Sequence, residues 1–457
     1  MSSIYLSVDA RSSGLAPGTP VYMYVVGLVS VAATPTTPAV ETFYRLDSTG
    51  MPQVMQGSDN TQPAFTFPGS DTLPTSAVDA LKGNYPLAWA DYSIPISLTE
   101  VTKIDLAKIN PNNCPGLGTG TAAFSGRIYF SVGIPKLPLS PIGSPATGYT
   151  APVFVNPPGN QTLFDWIEFS FDSNQAFNGN TTQVDQFGFP LTLNGTPGGS
   201  LQGMLNKTRA EVTAAFGSGL SGPLGDGVLQ VPVNADARAA YPEFVNFLRV
   251  ISPKTLSAEN DYTGTLNSFY DGVINSSYTT WETTPLVTHD QSTGYYTGYV
   301  PKSAAGDGGD SDSNSQYAGE LIFFQGQFSS VADMKNKTPD FVLGRIDSYE
   351  VWQCEGKLAA GDAAQKNVGK MIAAALNRGV IANSLDDATC SGDAASFYPA
   401  GGTFNEWSQL FHEFSENGLA YGFPYDDVCD QNPSIGITGT TAIEITIDGF
   451  WIRKFEP

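Results

Sequence analysis

The chain has 457 residues, 41% hydrophobic and 12% aromatic, so it can bury a large core and is too long for one ordinary lobe. Only 14% are charged, yet 44 Asp and Glu face 22 Lys and Arg, and the formal net charge of −22 repels nucleic acid and anionic membranes and suits a neutral ligand such as sugar. With 48 Gly and 32 Pro it reads as a loop-rich, mostly β protein, and no run of about 18 apolar residues predicts a membrane span.

In chain order, Ile4 to Ala10, Val21 to Ser30, Ile94 to Ile104 and Arg127 to Gly133 are β-branched or aromatic runs punctuated by Gly, Pro, Asn and Ser, and are predicted strands. No basic, apolar-centred leader precedes them, which leaves a cytoplasmic chain or, as the favoured expectation, a mature extracellular form carrying an added start Met. After residue 200 the period changes. Lys207 to Phe216 predicts a short helix. Ala235 to Val250 places Tyr241, Phe244, Val245 and Leu248 on one helical face, and Gly361 to Arg378 does the same with Val368, Met371, Ile372, Ala375 and Leu376, ending at a C-cap Gly379. Thr403-Phe-Asn-Glu406 predicts a capping box opening a helix that aligns Phe404, Trp407, Phe411 and Phe414. Ala442 to Trp451 alternates again as a strand. The order is β, mixed α/β, then a returning strand, which suggests an insertion into a sheet domain.

Two carboxylates stand out. In Asp165-Trp-Ile-Glu-Phe-Ser-Phe-Asp172 the apolar positions Ile167, Phe169 and Phe171 alternate with Trp166, Glu168, Ser170 and Asp172, so Glu168 faces away from the core. In Asn180-Thr-Thr-Gln-Val-Asp-Gln-Phe-Gly-Phe-Pro190, Thr181, Gln183 and Asp185 share a face. A symmetric hairpin puts Glu168 opposite Asp185. Like charges so placed destabilise a hairpin, and a pair that cuts a glycosidic bond is one reason to keep them. A solvated polar face is the plainer reading. Trp166 and Phe177 offer rings on which a sugar can stack.

Other residues carry less. Asp307, Asp310 and Asp312 lack the terminal Glu of an EF-hand loop, so a solvated loop is expected and no metal site is assigned. Cys114, Cys354, Cys390 and Cys429 admit two disulfides in three connectivities, without C-x-x-C spacing for zinc. Asp426 and Asp427 could line an acidic cleft or close their own turn. His412 lies in an aromatic-rich helix, and His289 has no partner motif. No G-x-S-x-G elbow is present, and no cofactor is called for.

The hairpin residues resemble the signature of glycoside hydrolase family 64, the laminaripentaose-producing β-1,3-glucanases. So do Ala374-Ala-Leu-Asn-Arg-Gly379, Phe404-Asn-Glu-Trp-Ser-Gln-Leu-Phe-His412 and Ala420-Tyr-Gly-Phe-Pro-Tyr-Asp-Asp-Val428, the last similar also to thaumatin-like proteins. The resemblance implies a thaumatin-like β-barrel or sandwich over residues 1–196 and 419–457, a mixed α/β lobe over 197–418, and a wide groove between them. It implies a monomer that cuts β-1,3-glucan such as laminarin or curdlan into short oligosaccharides, by inversion, with Glu168 as general acid and Asp185 as general base. Ser170, Asp172, Phe177 and Thr182 would contact sugar, where the family pattern has Thr, Asn and Trp at the first three; Trp166, Tyr421 and Asp426 are further candidates. Strictly opposed carboxyls would stand about 5 Å apart, whereas inversion requires roughly 6.5–9.5 Å, so the symmetric register conflicts with the implied chemistry. A non-catalytic thaumatin-like glucan-binding protein is the alternative.

Overall fold

Alternating strands in the first half of the chain, joined by two from its end, build two sheets that share one apolar core. The computed structural model describes residues 4–33, 38–62, 88–133, 136–150, 162–203, 207–218, 229–232, 247–258, 266–303 and 312–450. The larger sheet has eight strands, with Ile435–Ile437, Phe177–Thr181, Leu163–Phe171, Phe124–Val132, Val21–Val31, Val40–Leu46 and Pro52–Val54 in spatial order and Ile94–Ile96 beside Val21–Val31. The second has five, ordered Gln202–Gly203, Leu191–Thr196, Ala442–Ile447, Tyr5–Asp9 and Thr102–Asp105. Tyr5–Asp9 runs parallel to Ala442–Ile447, so the returning strand closes beside the first one.

Alternation decides which side chain goes where. Val21, Met23 and Val25, Phe124, Ile128 and Phe130, and Ile167, Phe169 and Phe171 meet Leu6, Val8, Ile443 and Ile445 in the shared core. The intervening residues face outward. There Tyr24, Val26, Tyr129, Phe164 and Trp166 are roofed by Met55, Tyr92, Leu137 and Leu139 in a smaller apolar cluster. Gly27 and Gly126 pair across neighbouring strands, and a Cβ on Gly126 would strike the Val26 carbonyl oxygen, so the backbones beneath residue 127 approach as only glycine permits.

The second half adds a five-stranded sheet, ordered Phe341–Gly344, Leu321–Gln325, Gly294–Tyr299, Leu286–Asp290 and Ser384–Asp386. Helices Asp271–Trp281, Ser348–Gln353 and Ala363–Asn377 send Ile274, Trp352 and Met371 into the core. Ala363–Asn377 is followed by Gly379 at φ +69°, as its sequence predicts. A three-stranded sheet, Gln186–Phe187 with Phe247–Ile251 and Leu229–Pro232, joins an aromatic cluster of Phe187, Phe216, Trp407 and Phe411.

Several expectations need correction. Residues 235–246 lie outside the described residues, but 247–250, the end of the predicted helix, fall in the strand Phe247–Ile251. Leu248 and Ile251 join the main core and Val250 the aromatic cluster, and burial on both faces hides a strand's period. Ile94–Ile104 splits into strands of different sheets because the Ser97 hydroxyl accepts from the Thr99 and Glu100 N–H groups and turns the chain. The helix Glu406–Phe414 is capped by Asn405, which accepts from Ser408 N, rather than by Thr403. One disulfide, Cys390–Cys429, is formed, and Cys114 and Cys354 are buried thiols. Asp307 and Asp310 lie outside the described residues, while Asp312 accepts the Tyr299 hydroxyl and Asn314 N–H.

Candidate active site

Glu168 stands on the outward face of the Leu163–Phe171 strand, its side chain 42% exposed. Its cross-strand neighbours are Arg127 on one side and Asn180 on the other. Arg127 donates from Nε (3.1 Å) and Nη2 (2.9 Å) to the same oxygen, Oε1. The guanidinium lies 5.1 Å from the Trp166 ring, so an aromatic face supports the cation that holds the acid.

The hairpin register differs from the symmetric expectation. Asp172 accepts the Asn174 and Ala176 N–H groups and closes a tight turn, so positions summing to 348 pair, and Glu168 faces Asn180 instead of Asp185. The second strand ends at Thr181. Asp185 therefore lies beyond the hairpin, in the segment leading to Gln186–Phe187, and the two carboxyls are not cross-strand partners.

Contacts from remote parts of the chain place Asp185. Its carbonyl accepts Ser252 N–H (3.0 Å), and Ser252 Oγ donates to Val184 O (2.7 Å). Ser252 also caps the short helix Pro253–Ser257, whose first turn brings Lys254 Nζ (2.8 Å) and Thr255 Oγ1 (3.2 Å) to Asp185 Oδ1. Two residues earlier, Gln183 donates to Tyr421 O (2.8 Å) and accepts Trp407 Nε1 (2.9 Å). The Asp185 side chain is 13% exposed, recessed where Glu168 is open.

Both acids act on Arg127. Burial opposes the charge on Arg127, but Tyr129, Glu168 and Asp185 outweigh it and hold the guanidinium pKa above its ordinary value. Tyr421 responds to Glu168 as well: burial chiefly, with Asp427, Asp426 and Glu168 adding, pushes its hydroxyl pKa up. Asp427 is exposed. Desolvation is the largest influence on it and raises its pKa, against its own backbone N–H and Lys370.

Other candidates fall in different places. Ser170 is half-buried beside Ser125 and Asn178, one cross-strand row from Glu168. Asp172 is committed to its turn. Thr182 is 4% exposed, with its hydroxyl accepting Val184 N–H. Trp166 (1% exposed) packs against Tyr129 and Phe164, and Phe177 (0%) against Phe169, so these two rings are core and not sugar platforms. Asp426 is also not on a cleft surface. Fully buried, it accepts Arg378 Nη2 (2.7 Å), Ser408 Oγ (2.9 Å) and Gly422 N–H (2.8 Å), with His412 Nε2 3.0 Å from both oxygens. Desolvation works against its charge, but His412, Arg378 and Gly422 prevail and hold its pKa below the usual carboxylate value.

Three residues carry no local signal that sequence reading could use. Arg127 and Lys254 meet their carboxylates 41 and 69 residues away. Asp165, buried on the same strand as Glu168, accepts Trp166 N–H (2.9 Å), Gly188 N–H (2.8 Å) and Phe189 N–H (3.3 Å). It ties the Glu168 strand to the chain just past Asp185. Burial pushes its pKa up to about 7 despite those N–H groups and Arg249. His289 does have a partner, with Nδ1 2.7 Å from Asp386.

The family model of glycoside hydrolase family 64, described as β-1,3-glucanase, matches residues 87–447. The fold is similar to a laminaripentaose-producing β-1,3-glucanase in complex with laminaritetraose, at 22% identity and TM-score 0.67, covering 99% of this chain and 100% of that one. It is similar also to a β-1,3-glucanase domain from Clostridium beijerinckii, at 20% identity and TM-score 0.65 over 98% of both chains. A laminaripentaose-producing β-1,3-glucanase from Paenibacillus barengoltzii, complexed with laminarihexaose, matches at 18% identity and TM-score 0.52, over 98% of this chain and 75% of that one. No curated protein matches the sequence.

Proposed function

The chain belongs to glycoside hydrolase family 64, the β-1,3-glucanases, and on that premise we propose that Glu168 and Asp185 hydrolyse β-1,3-glucan by an inverting single displacement. Glu168, the more exposed acid, protonates the glycosidic oxygen as the C1–O bond breaks. Asp185, recessed and paired with Lys254, takes a proton from the water that attacks C1 on the opposite face of the sugar. The complexes of similar proteins with laminaritetraose and laminarihexaose support a laminari-oligosaccharide as the bound species.

The observation that carries this reading is the distribution of carboxylate oxygens. Each acid has one oxygen held by a cation, Oε1 by Arg127 and Oδ1 by Lys254. Among the described residues, Glu168 Oε2 and Asp185 Oδ2 have no hydrogen-bond partner in the protein. Two anchored carboxylates, each with one oxygen not committed to a protein partner among the described residues, suit one proton donor and one acceptor better than a structural ion-pair network.

The finer expectations belong to the same proposal: a thaumatin-like β domain over 1–196 and 419–457, a mixed lobe over 197–418, and a groove between them taking the polymer. Endo-type release of short products such as the pentaose, a monomeric state and an extracellular location complete it. The test is the anomer first released from linear β-1,3-glucan, followed by NMR. Fresh α-anomer supports inversion. Fresh β-anomer overturns the assigned roles, and polymer bound but left intact returns the chain to the non-catalytic alternative.

A further inference from the structure

Within that reading of Glu168 as the acid, we infer that Arg127 is the positioning residue of proton transfer: it leaves Oε2 as the working oxygen and stabilises the negative charge that forms on Glu168. The first half rests on geometry. Both Arg127 donors, Nε at 3.1 Å and Nη2 at 2.9 Å, converge on Oε1 and leave Oε2 without a protein partner among the described residues. Two charge-assisted donors on one oxygen fix where Oε1 sits, and with it which oxygen is left for the substrate.

The second half rests on charge. During hydrolysis the proton leaves Oε2 for the glycosidic oxygen, the C1–O bond breaks, and the attacking water loses its proton to Asp185. Glu168 passes from neutral acid to anion at that step, and the next turnover begins when solvent returns one proton to Glu168 and accepts one from Asp185. A fixed guanidinium interacts more strongly with the anion than with the acid, so its stabilisation grows along the reaction coordinate. Arg127 has little freedom to follow any other group. Its guanidinium lies 5.1 Å from the Trp166 ring, Nη1 is 3.5 Å from the Tyr129 hydroxyl, and its strand is clamped at Gly126.

Nothing in this role requires contact with sugar, and that separates it from a binding role. The loss on removing Arg127 should scale with how much the leaving group needs a proton. The leaving sugar of unactivated laminarihexaose needs full protonation, whereas 2,4-dinitrophenolate departs almost unaided from a laminari-oligosaccharide that carries it at the reducing end.

The experiment measures kcat and KM for wild type, Arg127→Lys, Arg127→Met and Glu168→Gln on both substrates, with melting temperature and circular dichroism as checks on folding. For Arg127→Met the expected result is a fall of about 10- to 100-fold in kcat on laminarihexaose, part of the roughly 10²–10⁴ that acid catalysis supplies. KM should change by less than about threefold, and kcat on the dinitrophenyl substrate by less than about threefold. Arg127→Lys should recover part of the loss and carries the test if Arg127→Met does not fold. Equal losses on both substrates, or a change in KM alone, overturn the inference while Glu168→Gln still shows the leaving-group dependence. If Glu168→Gln itself lacks that dependence, the assignment of Glu168 as the acid is what fails, and the inference fails with it.

Discussion

Glu168 and Asp185 are set by different means. Glu168 sits mid-strand in the eight-stranded sheet, where alternation and two flanking strands decide its direction. Asp185 lies past the end of a strand, and Ser252, Lys254, Thr255, Tyr421 and Trp407 decide its position from as far as 236 residues away by way of Gln183 and Val184. The open carboxylate is held by a rigid sheet, the recessed one by an assembly of loops and helix ends. A side chain on a sheet face is robust to distant change, whereas one held by converging contacts inherits the stability of every element that reaches it.

The largest effect separates the two residues from their surroundings. Glu168→Gln and Asp185→Asn should each lower kcat on β-1,3-glucan by roughly 10³-fold or more while oligosaccharide binding, followed by calorimetry, persists. Either variant working near the wild-type rate removes that residue from the mechanism.

Next is the anchor beneath the Asp185 side. Asp426→Ala leaves Arg378 buried without its carboxylate and deprives Ser408, His412 and Gly422 of an acceptor. A loss of about 3–5 kcal/mol in denaturant unfolding is expected. Its folded-state pKa is depressed, so the stabilisation is present above the unfolded value of 3.8 and fades as pH falls through the lower folded value. An unchanged unfolding midpoint would mean that the site tolerates a broken anchor.

Asp165 has the opposite sign. Its folded pKa is about 7 against the ordinary carboxylate value of 3.8, so the native state holds the extra proton in that interval and stability declines as pH rises through it. The slope is at most roughly 1.4 kcal/mol per pH unit. Asp165→Asn mimics the protonated form and should flatten the melting temperature between about pH 4.5 and 7 relative to wild type. Parallel curves for the two proteins would remove Asp165 as the source.

The same contrast explains what was legible. The outward face of Glu168, the core positions Ile167, Phe169 and Phe171, the returning strand and the Ala363–Asn377 helix follow from local period. The register was not legible, because Asp172 spends its carboxylate on its own turn and shortens the loop. Trp166 and Phe177 look like sugar platforms in a one-dimensional pattern. They are core because this sheet carries apolar clusters on both faces. Arg127 and Lys254 gain their meaning only from partners far along the chain, and Asp426 owes its ion pair to Arg378, 48 residues away, a property that periodicity cannot encode.

The smallest effect tests the contrast most directly. Trp407→Phe keeps an aromatic ring against Phe216 (5.0 Å) and Phe411 (4.9 Å) but removes the Nε1 donor to Gln183 O. An orphaned buried carbonyl and a smaller ring should cost about 1–3 kcal/mol. Gln183 keeps its bond to Tyr421 O and Asp185 keeps Lys254, so the segment loosens without leaving its place. The expected outcome is a kcat about three- to tenfold lower with little change in KM, from a residue on a helix that contributes no side chain to either carboxylate. A comparably conservative change under Glu168, such as Phe169→Leu, removes core volume but no hydrogen bond, and the sheet ladder still aims the carboxylate. If Phe169→Leu lowers kcat as much as Trp407→Phe at equal loss of stability, the two acids are held alike and the distinction between sheet and assembly fails.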